Sequence, residues 1–405
     1  MPNRNIPPPT TPASLTRKHW TVLIYANGNN DLEPEMCQAM EAVSKVGSSD
    51  EVNIVMQIAR AKLDLVKIIR RHYPSTVQQS WSGVRRYYFA EDTPIMINKF
   101  KNVNMADPQQ LYAFLSWGIR CYPAEKYMVI LGGHGYQFVG TMTDYCQKAP
   151  YIMGIPEMVT AINRAANEQS KKIDVLLLDT CYFNCIEVLY ELGRHPDHAV
   201  LKAVTYINSG PLEGLQYDKA INLLKKEPTS DSDTYIKELI NSLRLDLVAF
   251  AVNHRKLQQI KQNTNQLAMS YCTPSLINAG TSCNDDDQSK HELSTQLISL
   301  VIHYKKVLQP ANALIWIAKK PTDNLNLISR YYRLSFAQQN HWTYYLSNRT
   351  FDITNAFAQK KSLHPIKLTP SEVYAFITIM NPVLPEKDKK EILNTLFNYQ
   401  NWKRK

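Results

Sequence analysis

Short, nearly unbroken apolar runs recur through the first half of the chain. They are WTVLIYA (Trp20 to Ala26), VNIVMQIA (Val52 to Ala59), YMVILGG (Tyr127 to Gly133), IDVLLLD (Ile173 to Asp179) and LKAVTYIN (Leu201 to Asn208). Each is too short for a stable buried helix and too continuous for a half-exposed strand, which predicts strands buried on both faces. RRYYFA, near Arg85 to Ala90, reads as a more polar strand. Between the runs the period lengthens. After Asp107-Pro108, Leu111, Phe114, Leu115 and Ile119 share one helical face, and further helices are predicted from about Pro156 to Asn167 and from Asn184 to Leu192. Gly193 stands where the last of these should stop. Strands of this kind alternating with helices predict an α/β fold with a mostly parallel sheet covered on both faces.

After about Thr229 the pattern changes. Tyr235 to Leu243 and Leu245 to Tyr271 carry helical periodicity, as do Thr295 to Val307 and the region from Tyr331 to Ser347. Asn278 to Ser289 is a polar loop, and the last stretch has no clear period. There is no internal repeat. The predicted organisation is a Pro-rich flexible tail over 1–18, an α/β domain over 19–228 and a mainly helical C-terminal region over 229–405 packed on that domain.

Composition narrows the partners. With 44% hydrophobic and 20% charged residues, the chain has the balance of a packed globular protein. No apolar run approaches the ~20 residues that span a bilayer, and the N-terminal stretch lacks the apolar segment of an export signal. The expectation is a cytoplasmic protein with no membrane partner. The net charge of +10 is spread over the chain without a nucleic-acid motif, so no nucleic-acid partner is expected. The 7 cysteines are irregularly spaced, which argues against a disulfide framework, and Cys181-x3-Cys185 is not a CxxC pair. Asp285-Asp286-Asp287 lacks the spaced oxygen ligands and glycine of a calcium loop. A zinc site from His134, Cys181 and Cys185 has no obvious fourth ligand. No metal or cofactor is expected.

Two strand ends carry reactive side chains. Gly132-Gly133-His134-Gly135 follows YMVIL, and Asp179-Thr180-Cys181 follows VLLL. Ligands of open parallel sheets collect beyond the carboxyl ends of the strands. A thiol becomes a nucleophile when a base takes its proton, and an imidazole on a neighbouring strand end can do so without adjacency in sequence. Glycines around the histidine would let a substrate backbone approach. Asp31 reads as the cap of a helix beginning near Leu32. Cys185 reads as a packing residue on the helix after Cys181, where the two thiols could share a face.

Four stretches, in order, resemble the clostripain family of cysteine peptidases, of the caspase-like clan: WTVLIYANGNNDLE, YMVILGGHGYQF, IDVLLLDTCYFNCIEVLYEL and AVTYINSGPLEGLQYDKAINLL. Weaker similarity continues through LVAFAVNHRKLQQIKQNTNQLA and YYRLSFAQQNHWTYYL, so most of the chain is covered. The resemblance implies a caspase-like three-layer sandwich and a cysteine endopeptidase that cleaves after Arg or Lys through an acyl-enzyme. On this basis Cys181 resembles the nucleophile, His134 its general base and acid, and Gly135 a donor to the oxyanion hole together with the Cys181 N–H. Asp179 matches the acid at the floor of the S1 pocket, and Ser209 lies in the segment that walls the substrate cleft. Several relatives mature by self-cleavage in a loop of the kind that TMTDYCQKAPY resembles, which makes Lys148 a candidate self-cleavage site. The chain departs from the family pattern at Leu215-Gln216-Tyr217, which leaves the S2 preference open.

The implied partner is a peptide or protein with Arg or Lys before the scissile bond. Two other readings share these residues: a catalytically inactive caspase-like interaction module, and a cysteine hydrolase or transpeptidase acting on another substrate.

Overall fold

The computed structural model describes residues 17–71, 79–91, 93–101, 103–211, 213–272, 300, 325–346 and 363–402. The predicted loop at Asn278 to Ser289, with Asp285 to Asp287, lies outside them, as does nearly all of Thr295 to Val307.

Eleven strands occur among these residues, eight of them in one sheet. They are β1 (Lys18–Gly28), β2 (Val52–Arg60), β3 (Gly83–Phe89), β4 (Pro94–Phe100), β5 (Ala124–Gly132), β6 (Thr141–Asp144), β7 (Tyr151–Met153), β8 (Val175–Asp179), β9 (Lys202–Tyr206), β10 (Leu247–Ala251) and β11 (Ile366–Lys367). The large sheet runs β10-β9-β8-β5-β1-β2-β3-β4. Its centre, β9 to β2, is parallel, while β10, β3 and β4 add antiparallel edges. The α/β expectation is met.

Successive side chains of β1 serve opposite faces, as the pleat requires. Val22, Ile24 and Ala26 enter a core with Met36, Ala39 and Val43 of α1 (Glu33–Val46), which also takes residues of α6 (Tyr217–Lys226) and α7 (Ser232–Leu243). Leu23 and Tyr25 enter the opposite core with α3 (Pro108–Cys121), α4 (Ile155–Asn167), α5 (Ile186–Gly193) and α8 (His254–Cys272). The result is three layers. Each fully buried Leu, Ile or Val contributes roughly 1.5–3 kcal/mol, which explains why the central strands are the most apolar. The start of α3 is set locally: Asp107 accepts from the Gln109 N–H at 2.9 Å and Pro108 opens the helix.

Two expectations about elements need correction. Part of the helical stretch from Leu245 is strand β10, with α8 beginning only at His254. An apolar run as short as LVAFA satisfies either period, and its pairing with β9 decides for strand. The segment after His134, expected to be a loop, contains β6 and β7, which form a second sheet with β11 in the order β11-β7-β6.

The remaining helices are α2 (Leu63–Ile69), α9 (Leu325–Tyr332), α10 (Trp342–Leu346), α11 (Pro370–Met380) and α12 (Glu386–Trp402). A third core joins α2, the turn after His134 and the β6–β7 loop to α11 and α12. A capping box between Thr369 and Glu372 starts α11, and Arg330 of α9 pairs with Glu372 at 2.9 Å. Late-chain residues thus pack beside the β5 end.

Candidate active site

Strands β5 and β8 are direct neighbours in parallel register, with Gly132 opposite Asp179. The pairing extends one step further, because the Gly133 N–H donates to the Asp179 carbonyl at 3.2 Å. His134 and Cys181 therefore leave adjacent strands at the same sheet edge.

Gly135 lies directly against the nucleophile candidate. A Cβ at Gly135 would be 2.4 Å from the Cys181 carbonyl oxygen and 3.2 Å from its nitrogen. Only glycine fits. A Cβ at Gly132 would be 2.5 Å from the Tyr217 hydroxyl. The glycines around His134 thus make room for the protein's own groups, where the sequence suggested room for substrate. Gly135 also bridges Thr141. The flanking bonds, Tyr136 N–H to the Gly140 carbonyl at 2.9 Å and Met142 N–H to the His134 carbonyl at 3.0 Å, leave Gly135's own N–H outside that ladder.

Cys181 is partly exposed. Burial pushes its thiol up and the nearby Asp179 charge adds to this, against a hydrogen bond from the Gly210 N–H. The next residue, Tyr182, has φ 60°, a conformation that is costly for a bulky side chain. Its N–H donates to the Asn208 carbonyl at 2.6 Å, which ties the turn to the segment after β9. Ser209 lies in that segment, exposed and beside Gly210. Cys185 is buried at the N-cap of α5 and belongs to the core. Cys181 precedes the helix, so the two thiols share no helical face.

His134 is buried, at 2% exposure, and its Nε2 lies 2.8 Å from Asp31 Oδ1. Asp31 is not the helix cap that the sequence suggested. The cap residue of α1 is Leu32, and the side chain that turns back onto the chain is Asn30, whose Oδ1 accepts from the Leu32 N–H at 2.8 Å. Burial pushes the Asp31 carboxyl up, but the His134 charge and hydrogen bond, with smaller help from Arg70, hold it below the usual carboxylate range. The turn itself is buttressed. Asn27 and Asn30 donate to the Thr143 carbonyl at 2.9 and 2.8 Å, and Asn29 donates to the Asp144 carboxylate at 2.8 Å.

Asp179 is buried, with both oxygens engaged: Tyr206 donates to Oδ1 at 2.6 Å and Tyr217 to Oδ2 at 2.8 Å. Burial raises this carboxyl, and the two tyrosines and the Leu215 N–H offset part of the rise. Tyr217, at the departure from the family pattern, is fully buried against Asp179. Sequence reasoning missed Tyr206 and Tyr217 as partners of the acid, although both stand in the cleft segment it had singled out. Lys148 is exposed in the loop between β6 and β7.

A model of the clostripain family matches residues 24–355. Clostripain of Hathewaya histolytica is 22% identical over 240 residues, 51% of this chain and 42% of that protein. The chain thus matches less than half the length of this relative. Among solved structures, an inactive zymogen C11 protease from Parabacteroides distasonis aligns over 63% of this chain and 67% of its own, with 16% identity and a TM-score of 0.46. A secreted C11 cysteine protease from Bacteroides thetaiotaomicron, solved with an irreversible peptide inhibitor, aligns over 71% of this chain and 84% of its own, with 16% identity and a TM-score of 0.49.

Proposed function

The chain belongs to the clostripain family, and from that premise we propose that it is a cysteine endopeptidase acting through Cys181 and His134, with Arg or Lys before the scissile bond. The observation that carries the reading is the seating of Gly135, next to His134, on the Cys181 backbone at two paired strand ends. In this reading His134 takes the Cys181 proton, the thiolate attacks the scissile carbonyl, and the imidazolium returns the proton to the leaving amine. Water then hydrolyses the acyl-enzyme by the same route. The N–H groups of Gly135 and Cys181 meet the oxyanion, which matters because charge grows there only in the transition state.

For specificity, Asp179 floors the pocket. Each carboxylate oxygen offers two lone pairs, and the tyrosines use one on each. The Leu215 N–H takes a third, which leaves one lone pair for a charge-assisted hydrogen bond from an arginine guanidinium or a lysine ammonium. In this reading Ser209, exposed next to the Gly210 that bonds the thiol, contacts the substrate backbone. Lys148 supplies a self-cleavage site of the same specificity in an exposed loop.

The test is hydrolysis of fluorogenic peptides varied at P1 by purified wild-type protein and Cys181→Ala. Cys181-dependent cleavage confined to Arg and Lys is expected. Cys181-dependent cleavage after other residues would remove the specificity, and no Cys181-dependent cleavage of any peptide would favour the interaction-module reading.

A further inference from the structure

Resting on that reading of Cys181 and His134, we propose that Asp31 is the positioning residue of the active-site histidine: it fixes the imidazole tautomer and stabilises the imidazolium that pairs with the Cys181 thiolate.

The geometry carries this through four links. Asp31 is ionised at neutral pH, since its carboxyl lies below the usual range, and so can only accept a hydrogen bond. The 2.8 Å contact therefore places a proton on His134 Nε2. A neutral imidazole carries one ring proton, so Nδ1 is the nitrogen left with a lone pair to take the thiol proton.

Second, Asp31 is free for this role because Asn30 caps the following backbone in its place. Its main chain is fixed as well, with Arg70 donating to the Asp31 carbonyl at 3.1 Å and to the Glu35 carboxylate at 2.7 Å. Third, solvent is largely kept from the pair. The Asp31 side chain is 13% exposed, and Tyr136 beside it stacks on Phe376 of α11 at 3.6 Å between ring centres. A charge pair so placed is screened far less than one on the surface.

Fourth, the thiol needs the help. Burial and Asp179 both resist ionisation of Cys181. An anion bonded to the far side of the imidazole favours its charged form, and so favours thiolate–imidazolium over thiol–imidazole. The groups around the pair are Arg70 just after α2, Tyr136 from the turn after β5, with Cys181 of the β8 end near it, and Tyr145 from the β6–β7 loop. The α11 residues here, Phe376 and Ile377, carry no charge. Asp31 is thus the anion in hydrogen-bonding contact with the imidazole.

The experiment compares wild type, Asp31→Asn and Asp31→Glu by the rate of Cys181 alkylation with iodoacetamide from pH 5 to 11, read by mass spectrometry, beside peptide hydrolysis. An opposite charge in contact shifts an ionisation by about 1–3 units. Asp31→Asn should therefore alkylate at least about tenfold more slowly at pH 7, and converge on wild type towards the alkaline end of the range, as the thiol comes to ionise without the imidazole. Asp31→Glu should recover part of the neutral-pH rate. A purely structural loss would slow alkylation equally across the range, or expose Cys181 and speed it. If Asp31→Asn does not fold, Asp31→Ser takes its place with the same expectation.

A pH profile superimposable on wild type overturns the proposal. An altered profile in a protein that hydrolyses no peptide would instead uphold the pairing and remove the peptidase reading, so the two can fail separately.

Discussion

Asp179→Asn separates pocket from nucleophile. In the folded protein the carboxylate is 8% exposed and held by Tyr206 at 2.6 Å and Tyr217 at 2.8 Å. An amide of the same shape keeps one acceptor oxygen but loses the charge and the second acceptor edge. A hydrogen bond to a charged group contributes about 1.5–3 kcal/mol. At ~1.4 kcal/mol per factor of ten, the Arg-over-neutral ratio in kcat/KM should fall roughly ten- to a hundredfold. The assay uses two fluorogenic peptides that differ only in arginine or citrulline at P1, so that size is constant and charge is not. The ratio should also depend on pH. Because burial raises the Asp179 carboxyl, the Arg preference is present above its ionisation and lost as pH falls through it. Tyr217→Phe removes one of the hydrogen bonds that offset the rise, so the same loss should begin at a higher pH. Iodoacetamide labelling of Cys181 should be retained in both variants, and quicken somewhat in Asp179→Asn, where a charge that resists thiolate formation is gone. An Asp179→Asn enzyme that kept the wild-type Arg/citrulline ratio would refute the reasoning and require another acid at the pocket floor.

Four further outcomes are expected. Cys181→Ala and His134→Ala should each abolish peptide hydrolysis, with circular dichroism melting near wild type for Cys181→Ala and lower for His134→Ala, which leaves the Asp31 carboxylate without its partner; residual Cys181-independent turnover in Cys181→Ala would break the assignment. Gly135→Ala should lower kcat by at least about a hundredfold, since its methyl would meet the Cys181 carbonyl and displace an oxyanion donor typically worth about 10²–10³ in rate; near-normal kcat would exclude Gly135 from the oxyanion hole. If Lys148 is cut, wild type but not Cys181→Ala should yield two fragments that co-elute, because β6 and β7 pair across the cut and β8 lies between β5 and β9; a new N-terminus other than Ala149 would exclude this site. Burial lifts the Asp144 carboxyl to about 6, so the native state binds that proton more tightly than the unfolded chain. Stability from this group is full below about pH 4 and declines by roughly 3 kcal/mol as pH rises to 6. Unfolding free energies of wild type and Asp144→Asn from urea titrations across pH 4–7 should diverge by about that amount, and parallel curves would clear Asp144.

The elements legible in the sequence are those whose burial is complete. β1, β2, β5, β8 and β9 are covered on both faces, so nearly every side chain had to be apolar and the run itself announced the strand. β4 was not legible: it is an edge strand with Lys99 and exposed positions along its length. β6 and β7 were missed for another reason. They are only 4 and 3 residues long, too short for a period to emerge, and exist because they pair with each other and with β11 from the far end of the chain.

The site divides along the same line. His134 and Cys181 were visible because each follows directly on an apolar run, and a reactive side chain at a buried strand's carboxyl end is a local signal. Asp31 was visible as an acid but assigned to the wrong partner. Next to an incipient helix the local rule says cap, whereas its hydrogen bond reaches His134 across 103 positions. Tyr206 and Tyr217 stand 27 and 38 positions from the acid they hold. Burial and the alternation of apolar runs are one-body properties that each residue carries alone, so the sequence by itself determined the layers, the parallel strands and the edge where chemistry sits. Which polar group satisfies which is a pairwise property set by strand order and loop closure. Only the tertiary structure decided that Asp31 turns to the histidine and that two tyrosines hold Asp179.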